Sequence, residues 1–155
     1  MRCTIHPATA QDVASVAIAH QTASQDSSRE WLEALLEACA ISRQVWTAAN
    51  AQGEPLALIG AAPWTDDPDR GRLWFVVLAT HDVNDCDLKA VMRLTLMEML
   101  QVFRHLENHV SAEKAWALEL MRDAGFTVEP ALASTDGVRH RVWIDADAAG
   151  TLPAA

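Results

Sequence analysis

With 155 residues, half of them hydrophobic and 21% charged, the chain has the size of one ordinary domain and the composition of a folded globular protein. Its formal net charge of -9, with twelve basic residues and no basic run, repels phosphate backbones and anionic lipid, which argues against nucleic acid as a partner. The apolar run "LWFVVLA" at 73–79 is far shorter than the roughly 20 residues that span a bilayer, and no apolar segment follows Arg2 to mark secretion, so a cytoplasmic protein is expected.

In chain order, "RCTIHPA" sets Cys3 and Ile5 against Thr4 and His6, a short strand closed by Pro7. Thr9 is placed to cap a first helix, with Asp12 three residues on and Val13, Val16, Ala17 and His20 at helical spacing. "SSREWLEALLEACA" opens with the capping pair Ser27 and Glu30 and lines Trp31, Leu32, Leu35, Leu36 and Cys39 along a second helix. "RQVWTAA", "PLALIGAAPW" and "GRLWFVVLA" read as three antiparallel strands, separated by the turn "NAQGE" and the polar loop "TDDPDR". The third lacks polar alternation, so it is expected in the middle of the sheet with both faces covered. A strongly apolar helix is expected from 87 to about 105, then the strand "LENHV", then a helix capped by Ser111 and stopped by Gly125. "TVEPALA" and "VRHRVWI" form a closing hairpin, giving a single domain over 1–145 and a flexible tail over 146–155.

This order resembles the GNAT N-acetyltransferase superfamily over nearly the whole chain, with "IHPATAQDVASV" similar to its opening strand and first helix. The resemblance implies an α/β fold with a mixed, mostly antiparallel central sheet of about seven strands flanked by four helices. Toward the C-terminus the family pattern V-x3-N-x2-A-x2-L-Y-x3-G-F falls on Val110, Lys114, Ala117, Leu120, Met121, Gly125 and Phe126. Lysine and methionine stand at 114 and 121, where the family has asparagine and tyrosine. The tyrosine is similar in role to a general acid for the departing thiolate, and a thioether has no proton to give, a loss that active relatives also show.

The family also resembles a phosphate cradle: a Q/R-x-x-G-x-G/A motif wraps backbone N–H groups around the pyrophosphate of coenzyme A at a helix N-terminus. The corresponding segment here is "THDVNDCDLKA", with no glycine and with Asp82, Asp85 and Asp87. A carboxylate about 4 Å from a phosphate costs about 4 kcal/mol at an effective dielectric of 20, against roughly 0.3–2 kcal/mol gained at a helix terminus. The segments "GEPLALIGAAPW", "LWFVVLAT" and "LENHVSAEKAWALELMRDAGFTVEP" are together similar to the small GNAT-like proteins of T7-like bacteriophages and prophages, which are associated with virion assembly.

The expectation is therefore a phage or prophage protein with a degenerate acetyl-coenzyme A site, in host cytoplasm or virion. It binds other virion or phage proteins or further copies of itself, and needs no cofactor. The alternative is a divergent N-acetyltransferase using acetyl-coenzyme A. It would hold the pantetheine arm along Val76, Val77, Leu78 and Ala79 with Lys114 nearby, and Glu54 and Asp82 are its candidate acids. A small-ligand sensor on the same fold is a third class.

No metal site is expected. His105 and His109 are four apart, but they straddle a helix end and the next strand, and the loop His81, Asp82, Asp85, Cys86 and Asp87 lacks a second ligand cluster. Cys3, Cys39 and Cys86 read as free thiols, and no G-x-S-x-G turn supports a serine nucleophile. Trp31, Trp46, Trp74 and Trp116 read as core, and Trp64 as hairpin packing or a partner anchor beside "TDDPDR".

Overall fold

The computed structural model describes residues 3–23, 29–78, 88–135 and 137–149. The expected cap at Ser27, the segment holding Ala79, Asp82, Asp85, Cys86 and Asp87, and the end of the tail lie outside the described residues. The elements are β1 (Thr4–Pro7), α1 (Ala10–Ala23), α2 (Arg29–Ile41), β2 (Gln44–Ala49), β3 (Pro55–Pro63), β4 (Arg70–Val77), α3 (Leu88–Met99), β5 (His105–Ser111), α4 (Ala115–Asp123), β6 (Thr127–Val128), β7 (Leu132–Ser134), β8 (Gly137–Asp145) and α5 (Ala146–Ala149).

They form one mixed sheet in the order β1-β2-β3-β4-β5-β8-β6, with β7 paired to β8. Every pairing is antiparallel except β4 with β5. This is the expected α/β class, and β4 is the central strand. The eighth strand arises because "TVEPALA" is two strands: Pro130, which has no N–H to give a ladder, falls between β6 and β7. No described helix is long and apolar enough to cross a membrane.

Local chemistry explains the element ends. Thr9 and Asp12 cap α1 reciprocally: the Thr9 N–H donates to Asp12 Oδ2 at 3.0 Å and the Asp12 N–H to Thr9 Oγ1 at 3.1 Å. Asp12 also accepts from Thr47 Oγ1 at 3.0 Å and lies 2.9 Å from His6 Nε2, so one carboxylate ties α1 to β1 and β2. Burial works against its ionised form, but the bonds from Thr9, His6 and Thr47 outweigh that and lower its pKa. Asn50 builds the β2–β3 turn by accepting the N–H groups of Gln52 and Glu54, with Gly53 at φ 79°. At the end of α4, Gly125 has φ 101°, and the Phe126 N–H reaches Met121 O while the Gly125 N–H reaches Arg122 O, a Schellman stop.

Three expectations need correction. The helix α3 ends at Met99, not near 105, and both His105 and His109 lie on β5. The chain turns early because Phe103 is buried in the core, and the Arg104 N–H is claimed by Asp69 O. Ser111 does not cap α4; its hydroxyl accepts the Glu113 N–H at 3.3 Å, and Lys114 takes the N-cap position with no side-chain cap. Cys3 is disulfide-bonded, whereas Cys39 is free. Spacing along a chain does not report separation in space, and a bridge needs only Cα atoms about 4.4–6.8 Å apart.

The core has two parts, one on each face of the sheet. Leu73, Val91, Met92, Leu96, Phe103, Leu106, Leu118, Met121 and Ile144 belong to the larger, under α3 and α4; Val16, Leu35, Leu58 and Leu78 form the smaller, under α1 and α2. β4 has a cluster on each side, as its unbroken apolar run implies. Gly60 on β3 leaves room for Trp74, since a Cβ there would lie 2.4 Å from the indole ring. Gly60→Ala is expected to lower the unfolding free energy by about 1–3 kcal/mol in urea titration, because the ring has to shift.

Candidate functional site

β4 and β5 share only the rungs Arg70↔His105, Gly71↔Leu106 and Arg72↔Glu107. β4 nevertheless stays paired with β3 as far as Val77, and β5 with β8 as far as Ser111. Each strand follows its outer neighbour, so beyond Arg72 the two part. The opening is a cleft of about 320 Å³.

The cleft has walls on both faces of the sheet. Toward α1 and α2 lie His20, Trp31, Trp74, Val76, His109 and Arg139; toward α3 and α4 lie Phe75, Val77, Val110, Lys114 and Trp116. His20 stacks on Trp31 with centroids 3.6 Å apart and planes 12° apart. Phe75 meets Trp116 edge to face at 6.1 Å and 75°. Trp74 is fixed in place, since its indole N–H donates to Ser42 Oγ at 2.8 Å and that hydroxyl donates to Ala38 O at 2.5 Å. Among the described lining residues there is no carboxylate, although the chain carries a net charge of -9.

The predicted site residues are dispersed. Val76, Val77 and Lys114 all line the cleft. Leu78 is buried against α1 and α2, with its N–H given to Leu56 O at 3.0 Å. Glu54 is exposed in the β2–β3 turn, with its carboxylate 3.4 Å from Asn50 Nδ2. Ala79 and Asp82 lie outside the described residues. Met121 is 0% exposed and faces the core.

Sequence reasoning missed the aromatic walls and Arg139. Trp116 is not core; it is 49% exposed at the cleft mouth. Helical spacing carries that signal, because 116, 119 and 123 share a face and the other two positions are Glu119 and Asp123. Trp64 has Arg70 and Arg72 over its ring at 5.2 and 5.6 Å, which is the packing role at the hairpin.

A second missed feature sits at the base of the cleft. Glu107, 3% exposed, is bonded by Arg70 from β4, by Arg141 Nε at 3.2 Å from β8, and by His105 Nε2 at 2.9 Å. His105 Nδ1 lies 2.6 Å from Asp145, while Glu129 accepts from Arg141 at 2.5 Å and from the Trp143 indole at 2.8 Å. Burial penalises the Glu107 carboxylate, yet the bonds from Arg141, Arg70 and His105 prevail and hold its pKa down to about 2. Alternation gave the clue: His105, Glu107 and His109 on β5 face the same way as Arg139, Arg141 and Trp143 on β8.

No protein-family model and no curated protein matches the sequence. Solved structures do match in fold. A spermidine N-acetyltransferase chimera from Vibrio cholerae and hSSAT superposes with a TM-score of 0.76 at 12% identity, covering 98% of this chain and 100% of that one. The spermidine N-acetyltransferase from Vibrio cholerae in complex with CoA and spermine gives 0.70 at 13%, covering 96% and 98%. The GNAT domain of S. lividans PAT gives 0.66 at 16%, covering 92% and 90%. The fold is that of the GNAT acetyltransferases.

Since the folded pKa of Glu107 lies below the ordinary value of 4.5, the stability it contributes is complete above about pH 4.5 and is lost as pH falls through about 2. The shift corresponds to on the order of 3 kcal/mol. Urea unfolding between about pH 5 and about pH 2 should show that loss, and Glu107→Gln should lack that component and start from lower stability.

Proposed function

We propose that the cleft between β4 and β5 takes the acyl-pantetheine arm of acetyl-coenzyme A and that the protein transfers the acetyl group to an amine. The observation that carries this reading is the parting of the strands after Arg72, which leaves the cleft edge of β4 from 73 to 77 without a strand partner. An extended amide-bearing arm can lie on such an edge as an added strand, with Phe75 and Val77, whose main-chain groups point away from β3, presenting them to it. Phe75 and Trp116 supply apolar contact on the α4 side, and Lys114 supplies positive charge for the carrier's phosphates. When bound, the cofactor supplies a thioester carbonyl open to attack by an amine. The cleft-lining His109 is the group proposed to receive the amine proton; Glu54 and Asp82 remain the sequence candidates, Glu54 standing in the β2–β3 turn outside the residues that line the cleft.

The non-catalytic reading, a phage or prophage component that binds other virion proteins, is favoured by one observation. Met121 is buried at the position where the resemblance implies a tyrosine, so no proton donor reaches the cleft from there.

Acetyl-coenzyme A at a hundred times its Kd should raise the unfolding free energy by about 2.7 kcal/mol, read as a thermal shift. Lys114→Glu should weaken that binding. No shift at millimolar ligand would overturn the transfer reading, and saturable binding without any acetylated amine would favour the non-catalytic one.

A further inference from the structure

The half of the cleft under α1 and α2 is positively charged within an acidic protein. Arg139 on β8 pairs across the ladder with Ser111 and points to the same face as His109. Two residues along, Arg141 is held by Glu107 and Glu129, whereas the side chain of the exposed Arg139 makes no hydrogen bond or ion pair among the described residues. Among the described residues its guanidinium thus has no partner at the cleft, and its fork geometry suits a carboxylate. Beside it, the Trp74 indole, fixed by Ser42 and by the room left at Gly60, forms an apolar wall together with Trp31.

We propose, resting on the transfer reading above, that the acceptor is a small amine that also carries a carboxylate and an apolar or aromatic side chain. Its carboxylate pairs with Arg139 and its side chain lies along Trp74. A polyamine does not suit this site. It would meet the Arg139 guanidinium with no described carboxylate to receive it, and the Trp31 face that could hold a cation is covered by His20. The acceptor's neutral nitrogen forms the new amide bond to the acetyl carbon as the carbon–sulfur bond breaks. The sulfur leaves as a thiol, carrying the equivalent of the proton that the nitrogen loses to solvent or to His109.

Two measurements test this: calorimetric binding of acceptors to the protein alone, and thiol release with acetyl-coenzyme A present. Leucine and phenylalanine should bind and react in preference to their amides and to spermidine. Arg139→Gln should weaken their binding and raise their KM roughly ten- to hundredfold with kcat little changed, and Arg139→Lys should restore part of the loss. The position is exposed, so the fold should survive, which a thermal melt checks. Preference for spermidine, equal binding of acid and amide, or an unaffected Arg139→Gln would each overturn the proposal. So would an Arg139→Gln variant that weakens only acetyl-coenzyme A, because the charge would then serve the carrier's phosphates. If acetyl-coenzyme A binds and no amino acid does, the acceptor class falls alone. If amino acids bind and acetyl-coenzyme A gives no shift, the transfer reading falls and the carboxylate site stands.

Discussion

Glu107 occupies the last rung that β4 and β5 share, and its carboxylate is bonded by guanidiniums from the strands on either side of β5. A buried carboxylate left unpaired costs several kcal/mol, so Arg70 and Arg141 have to be close to it for the fold to persist. That requirement holds β4, β5 and β8 together at the base of the gap. Above it nothing comparable joins β4 to β5, and each follows the strand on its outer side. The cleft is thus the outcome of a sheet that is fastened at one level and released at the next.

Much of the fold was legible because its signals are local. The Thr9–Asp12 cap, the Asn50 turn, the apolar run of β4 and the Gly125 stop each depend on residues a few positions apart, and each forms as read. The end of α3 was not legible. Its apolar pattern continues past Met99, and only the burial of Phe103 and the tie from Arg104 to Asp69, contacts distant in sequence, turn the chain into β5 early. The disulfide at Cys3 was hidden for the same reason.

The site divided along similar lines. The strand facing the cleft and the lysine at 114 could be placed from pattern, since Val76, Val77 and Lys114 do line the opening. The ion network could not, because its members come from β4, β5, β8 and the segment after β6, and a single strand shows only that every second residue is polar. Trp116 was assigned to the core from the apolar residues around it, although helical spacing sets it beside acids. The three solved structures of the same fold named above share 12–16% of their residues with this chain. At that distance backbone architecture is retained while the chemistry of a cleft is free to change, so ligand preference has to be argued from the side chains present.

The three-rung seam also bears on how the molecule opens. It joins residues as far apart in the chain as Arg70 and His105, while the ladders on either side have seven rungs each. With three rungs against seven, the junction has the fewest ladder bonds to break of the three, so amides along it should exchange with solvent sooner than those inside either ladder.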